Sequence, residues 1–385
     1  MFLKAALLAA VFTLSTLASG QQTLRNKLNT LLNDSLLNTS QLALCVYDLT
    51  ADSLLYEYQG RQRMRPASTQ KIITAVAAIN VLGSHYCLNT SVSYTGTISN
   101  STLWGNLYVT GGFDPTFNSG DLDTFIEAIK RAGIDSIAGC LCADRSLKDT
   151  LQWGYGWCWD DEMPHLSPML YEATDSLMPQ LEARLRSTGI KFTTTSDAPR
   201  PNDATTLTIH STPLNEILQK MMKESDNLCA EALFYHLAAH SGTPFASRNE
   251  ATHYIDSITT LLGFNPTPFT PADGSGVSLY NYTSARLETA YLKYAFTHKD
   301  VFELLYASLP VSGRDGTLKH RMREPDVRGK VRAKTGTVTG VSSLAGYVTT
   351  SSGHMLAFCI INQGITRAAL GRQFQDKICR ILCNY

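Results

Sequence analysis

The sequence has no excess of charge: its 385 residues include 33 lysines and arginines against 33 aspartates and glutamates. A neutral chain builds no field to gather phosphates or anionic lipid, so composition gives no support for nucleic acid or a membrane surface as main partner. Long apolar runs are also scarce. One stretch, residues 5–17, follows Lys4 and leads into Ala18-Ser19-Gly20, which reads as the n-region, h-region and small-residue cleavage site of a secretory signal peptide over residues 1–20. That run is short for a membrane span, and no cysteine follows the site to take a lipid. No second run resembles a membrane helix. A mature chain starting near Gln21 in an extracytoplasmic, periplasmic space is therefore expected, with an uncleaved N-terminal anchor as the alternative. Losing Lys4 takes the basic count from 33 to 32 and leaves the chain almost neutral.

Metal-ligand patterning is missing too. The nine cysteines (Cys45, Cys87, Cys140, Cys142, Cys158, Cys229, Cys359, Cys379, Cys383) are an odd number spread along a long chain, unlike a small disulfide scaffold. Neither close pair, Cys140/Cys142 or Cys379/Cys383, is joined by a second Cys/His pair at zinc spacing. Buried free thiols are expected, and no metal or cofactor. The nine histidines show no triad with an acid. There is no internal repeat and no low-complexity tract.

What is present is a globular balance of 44% hydrophobic and 17% charged residues, long enough for a large core plus an accessory module. Helical spacing of apolar residues runs from Leu24 to Leu37, and two strands follow at 41–48 and 53–58. Pro66 marks the start of a long apolar helix ending at Gly83. Beyond about Leu88 the pattern changes to short strands around 91–94, 106–110 and 137–143, with an amphipathic helix over 122–132. This reads as a small α/β module. Strong helical signals return at Pro213 and continue through Ala238, then at about 253–262 and 284–295. Strands near Arg332, over 340–348 and over 355–362, and a closing helix from Ala369, complete the chain. The expected class is α/β (α+β): a catalytic part over 21–88 and 205–385, with an antiparallel sheet and flanking helices, split by an inserted accessory domain over 89–204.

Three short motifs carry chemistry. Ser68-Thr69-Gln70-Lys71 sets a hydroxyl and an amine three residues apart, hence on one face of a helix start. Ser225-Asp226-Asn227 lies in a helix-joining context, and Lys334-Thr335-Gly336-Thr337 on a strand. Each alone reads as a cap, a turn or an edge strand. Together, in order, they are the S-x-x-K, S-D-N and K-T-G set of penicillin-recognising serine acyl transferases. Ser68 must lose its proton to attack, and only a neutral amine can take it. Burial and neighbouring cationic charge are expected to depress Lys71, making it the general base. Ser225 is expected to relay a proton between Lys71 and the departing amine. Asn227 would orient Lys71 or the substrate. Lys334 brings charge that holds Lys71 neutral and attracts a peptide carboxylate. Thr335 and Thr337 present hydroxyls on one face, and Gly336 lets substrate backbone approach. Asp226 receives no role, because alternation points it away from the cleft.

The chain resembles the S13 peptidase family, the D-alanyl-D-alanine carboxypeptidase/endopeptidase group of low-molecular-mass class C penicillin-binding proteins. Further stretches share the likeness: Gly111-Gly112-Phe113-Asp114-Pro115, Trp157-Cys158-Trp159-Asp160-Asp161, Asp273-Gly274-Ser275-Gly276 and Leu309-Pro310 through Gly316-Thr317-Leu318. The resemblance implies a penicillin-binding-protein transpeptidase-like fold and a peptidoglycan stem peptide ending in D-Ala-D-Ala as substrate. It implies β-lactam antibiotics as covalent inhibitors, and leaves room for peripheral contact with membrane or cell wall. It implies an oxyanion hole from the backbone N–H groups of Ser68 and Thr337, and places Asp161 where it caps the amino group of the stem diamino acid. Asp273-Gly274-Ser275-Gly276 reads as a supporting turn without catalytic role. One departure stands out: the interval from Lys71 to Ser225 is short for the family's two accessory domains, so one is expected, with the missing part branching between Pro164 and Pro201. The alternatives are a serine β-lactamase, disfavoured because no Glu-x-x-x-Asn lies between Asn227 and Lys334, and a non-catalytic cell-wall-binding or sensor module, disfavoured by the intact nucleophile and base.

Overall fold

A computed structural model of the chain describes residues 20–161 and 163–385. The signal-peptide reading, Gly20 apart, lies outside the described residues. A helix over 20–31 (α1) leads into β1 (Gln41–Asp48) and β2 (Ser53–Tyr58), then α2 (Gln70–Leu82). The next section holds β3 (Cys87–Tyr94), β4 (Leu107–Thr110), α3 (Ser119–Arg131), β5 (Cys140–Asp144), α4 (Leu177–Ser187), β6 (Thr194–Asp197) and β7 (Thr205–Pro213). A run of helices follows: α5 (Leu214–Lys223), α6 (Asn227–Ala239), α7 (Arg248–Leu261), α8 (Ala285–Thr297) and α9 (Lys299–Ser308). The chain closes with β8 (Val331–Val338), β9 (Val341–Thr349), β10 (Met355–Gln363) and α10 (Ala368–Cys383).

Two five-stranded sheets organise these elements. The first is antiparallel throughout, in the order β8-β9-β10-β1-β2, so the last three strands return to pair with the first. Period-two alternation on β1 divides its side chains between two cores. Leu42, Leu44 and Val46 face a layer formed with Leu24 and Leu28 of α1 and Phe374, Ile378 and Leu382 of α10. Ala43 and Cys45 face the larger core around α2. α2 is apolar on all sides and buried from Gln70 to Ile79, the condition of a helix enclosed by others rather than lying on a surface.

The second sheet has the order β6-β5-β4-β3-β7 and mixes parallel with antiparallel pairs. α3 and α4 supply Phe125, Ile129, Leu181 and Leu185 to its separate core, beside Val109 and Leu141. The entering strand β3 and the leaving strand β7 pair from Cys87 opposite Pro213 to Tyr94 opposite Thr205. Both connections to the first sheet's surroundings therefore lie side by side, and Thr205–Pro213 belongs to the second sheet.

Several element boundaries differ from the sequence reading. α1 stops at residue 31 instead of continuing to Leu37. Asp34 adopts an extended conformation and caps a separate 3-10 turn, Ser35–Asn38, its carboxylate accepting from Leu36 N at 3.0 Å. α7 starts at Arg248 because Ser247 and Glu250 form a capping box. Two helices carried no expectation, α4 and α9. Pro179 masks α4 in sequence, yet it falls in the first turn, where a missing N–H costs nothing. All nine cysteines are free thiols; six are buried, and Cys87, Cys140 and Cys158 are partly exposed. No described helix is long and apolar enough to cross a membrane.

Candidate active site

The nucleophile candidate sits on a constrained turn. Ala67 has a φ of 51°, and the 3-10 turn Ala67–Thr69 passes directly into α2. A left-handed non-glycine residue persists only where its surroundings fix it. Here the Pro66 carbonyl accepts from Thr69 Oγ1 at 2.8 Å and from Ser343 Oγ at 2.5 Å. Thr69 Oγ1 also meets the buried Glu288 carboxyl at 2.9 Å, whose own pKa burial pushes up to about 7. Gly336 closes the turn from the far side. A Cβ there would stand 2.1 Å from Ser343 Oγ, 2.8 Å from Pro66 O and 3.0 Å from Ser68 N. The reason for glycine is thus the close packing of β8 against the nucleophile's own backbone, not room for substrate.

Lys71 is fully buried one turn into the helix. Its Nζ lies 3.0 Å from Ser68 Oγ, 2.7 Å from Asn227 Oδ1 and 2.8 Å from Ser275 O. As an ammonium it satisfies all three. As a neutral amine it keeps two hydrogens and one lone pair, and the amide and carbonyl oxygens are acceptors only. Both hydrogens are then committed to them, and the lone pair is left facing the Ser68 hydroxyl. Burial lowers the Lys71 pKa to about 8, against the opposing pull of Asp273, Glu231 and Asp226. Desolvation is the main cause of the depression of Lys71, and burial together with the charge of Lys71 holds Lys334 well below the ordinary lysine value.

The opposite wall is the junction of α5 and α6. Ser225, at φ 63°, is a second non-glycine residue held in the left-handed region. Its Oγ accepts from Lys334 Nζ at 2.8 Å, so it is bound to Lys334 rather than to Lys71, and its own hydroxyl hydrogen stays free for another acceptor. Asn227 opens α6 and spends Oδ1 on Lys71, while its Nδ2 donates to Met163 Sδ at 3.3 Å. Asp226 turns away to cap the helix, accepting from Cys229 N at 2.8 Å. Its replacement by alanine is expected to cost about 1 kcal/mol, read as a lowered thermal midpoint, since the first-turn N–H loses its acceptor.

β8 forms the edge of its sheet and the third wall. The 310–312 segment covers its first half through Ala333 N donating to Pro310 O at 3.0 Å and a bridge between Val311 and Arg332. From Lys334 to Thr337 the outer edge pairs with no strand among the described residues, which suits an extended peptide adding to the sheet. Lys334 is buried, donating to Ser225 and to Thr335 O at 2.7 Å. Thr335 Oγ1 donates to Thr317 Oγ1 at 2.9 Å, and Thr337 is exposed.

The Trp157–Asp161 segment divides its two tryptophans. Trp157 is buried and donates from Nε1 to Asp273 Oδ2 at 2.8 Å, while Trp159 is 93% exposed. Asp161 is partly buried, and its Oδ2 accepts from Cys158 N at 2.6 Å within its own loop. Ser68, Lys71, Ser225, Asn227, Lys334 and Gly336 are thus brought together through direct contacts, with Thr335 and Thr337 on the adjoining strand edge. Among the described residues, Asp161 hydrogen-bonds within its own loop.

A sequence profile of the D-Ala-D-Ala carboxypeptidase 3 (S13) family matches residues 24–176 and 165–385. The chain belongs to this family. Among its S13 relatives, the D-alanyl-D-alanine carboxypeptidase DacB of Haemophilus influenzae is 27% identical over 405 residues, covering 83% of this chain and 84% of the relative. The crystal structure of penicillin binding protein 4 (dacB) from H. influenzae superposes with a TM-score of 0.84 at 25% identity, over 95% of this chain and 99% of that one. The same H. influenzae protein complexed with a β-lactam superposes with a TM-score of 0.76 at 26% identity, again over 95% of this chain and 99% of that one. The fold is that of a penicillin-binding serine hydrolase.

Sequence reasoning missed part of this S13 site. The Ser275 carbonyl binds Lys71, although its segment read only as a turn, and a backbone oxygen leaves no mark in the residue type. Ser343 and Met163 are brought in by pairing and loop packing alone. Thr317 lay in a family-like stretch that signalled its presence without its partner.

Proposed function

We propose that the chain is a serine D-Ala-D-Ala carboxypeptidase/endopeptidase acting on peptidoglycan stem peptides or cross-links through an acyl-Ser68 intermediate. The observation that carries this reading is the commitment of both hydrogens of neutral Lys71 to Asn227 Oδ1 and Ser275 O, which aims its lone pair at Ser68. Ser68 attacks the penultimate D-Ala carbonyl as Lys71 takes its proton. The Ser68 and Thr337 N–H groups receive the oxyanion. Ser225 passes its own hydroxyl proton to the leaving amine and is refilled by the proton Lys71 took from Ser68, which returns Lys71 to the neutral amine. Lys334, Thr335 and the open edge of β8 hold the terminal D-Ala, Gly336 keeps that edge against Ser68, and Asp161 caps the free amino group of the stem diamino acid. Water then hydrolyses the acyl-enzyme. In this reading 1–20 is a signal peptide, the mature chain works outside the cytoplasmic membrane, and 89–204 with its flanking paired strands is a single accessory domain.

Labelling with a fluorescent penicillin tests the chemistry. A stable covalent label that disappears in Ser68→Ala is expected. Rapid release of label would turn the assignment to a β-lactamase, and no label on folded protein would remove both enzyme readings in favour of a binding module. Digestion of purified peptidoglycan with mass analysis of the products identifies the bond cleaved.

A further inference from the structure

A buried carboxylate stands behind the catalytic lysine. Glu231 lies one helical turn beyond Asn227 on α6, at the i,i+4 spacing that puts both on one face, and it is 1% exposed. Its Oε1 accepts from Ser275 N at 2.8 Å and its Oε2 from Gly274 N at 3.2 Å. The segment it grips is held at two further points. Thr74 Oγ1 donates to Gly274 O at 2.7 Å, and Asp273 Oδ1 accepts from Gly276 N at 2.7 Å. Of the peptide groups between 273 and 276, the carbonyl of Ser275 is the one given to Lys71. α6 thus reaches Lys71 twice: directly through Asn227, and through the loop by Glu231.

We propose that Glu231 is a positioning residue of the acyl-transfer site, fixing the Ser275 carbonyl as the second obligate acceptor of Lys71. The proposal rests on the assignment of Lys71 as base. Without that carbonyl in place, a neutral Lys71 has a spare hydrogen, and its lone pair is no longer confined to the direction of Ser68. Glu231 has a second effect, through charge. The groups facing the pair are Asp226, Cys229 and Tyr235 from α6, Asp273 from the loop, and Lys334 from β8. Burial and the Asp273 charge push Glu231 up to about 8, against the pull of the two backbone amides and Lys71. When ionised, Glu231 stabilises the Lys71 ammonium and delays its conversion to a base.

The test is the rate of acylation by a fluorescent penicillin as a function of pH in wild type, Glu231→Gln, Glu231→Asp and Thr74→Val. In Glu231→Gln the charge that Glu231 gains as it ionises near pH 8 is gone, so the Lys71 pKa falls and the upper part of the acid limb moves to lower pH. The plateau drops by about tenfold because the glutamine NH₂ opposes a backbone N–H. In Glu231→Asp the charge is kept and the reach shortened, so the limb holds its position while the plateau drops roughly threefold or more. Thr74→Val loosens the same loop without a charge change, and likewise lowers the plateau with the limb in place. A limb and plateau in Glu231→Gln indistinguishable from wild type overturn the proposal while leaving the base assignment intact. Should that variant fail to fold, Glu231→Asp decides alone: a displaced limb or an unchanged plateau overturns it. Wild type that takes no label, or Lys71→Met that labels normally, overturns the base assignment and this inference together.

Discussion

Replacing Lys71 by methionine is expected to slow acylation of Ser68 by about 10³-fold, within the range that a positioned general base supplies. Methionine matches the length of the side chain and removes the amine that lies 3.0 Å from Ser68 Oγ. The same change should leave folding nearly untouched, because two opposing effects are of similar size. Holding a lysine whose pKa lies near 8 in the folded state costs roughly 3 kcal/mol at pH 7 relative to the unfolded chain, and methionine relieves that cost. Against it, Asn227 Oδ1 and the Ser275 carbonyl lose their donor, at about 1–3 kcal/mol each if water does not replace it. A thermal midpoint close to wild type, beside a collapsed labelling rate, is the combined result. Unfolding at room temperature would show instead that Lys71 is structural.

The pH dependence of the wild type follows from the same group. The ammonium cannot accept a proton, so acylation should climb with pH and level off above about 8, where Lys71 is neutral. The sign for stability is parallel: a lysine depressed on folding opposes the folded state most when it is charged in both states, below about 8, and the cost fades as pH rises toward the unfolded lysine value. Rate and stability therefore improve together from neutral to mildly alkaline pH as far as this residue is concerned.

Gly336→Ala is the second large effect. The added methyl carbon would overlap Ser343 Oγ of β9 at 2.1 Å and press on Pro66 O and Ser68 N of the turn that presents the nucleophile. Ser343 cannot simply rotate away without giving up its bond to the Pro66 carbonyl at 2.5 Å. Overpacking of this kind costs typically 1–3 kcal/mol, so a lower thermal midpoint is expected. The effect on acylation is larger. A displacement of about 1 Å of a reacting group costs on the order of 10²-fold, and both the Ser68 amide and the neighbouring backbone of β8 lie in the path. Penicillin labelling at wild-type rate in Gly336→Ala would show that the strand can move away without disturbing Ser68.

How much of the site was legible varies with the kind of group. Ser68 and Lys71 could be paired from a spacing of three, because helix geometry alone sets them on one face. The partnership of Lys334 with Ser225 could not, since 109 residues separate them and nothing local fixes which lysine meets which serine. Asp226 received no role from the sequence, and its work as a cap emerges only once α5 and α6 are seen as separate helices. The Ser275 carbonyl and the Glu231 grip on its loop were illegible for a different reason: the loop's share in them is backbone, which every residue type has. Of the helices, α4 was hidden by a proline whose position in the first turn makes it harmless, whereas α9 carries helical spacing in Val301, Phe302, Leu304 and Leu305 that the sequence reading passed over.

By itself the sequence determined the order of the chemistry along the chain, the two opening strands, the apolar character of α2 and the family to which the chain belongs. These depend on periodicity and on short motifs, which are local. Only the tertiary structure decided which oxygen atoms take the hydrogens of Lys71, that both lysines are buried, why Gly336 is a glycine, and which wall each loop supports. Those are settled by distances of about 3 Å between segments far apart in the chain, and a charge or a lone pair has chemical meaning only once its neighbours in space are fixed.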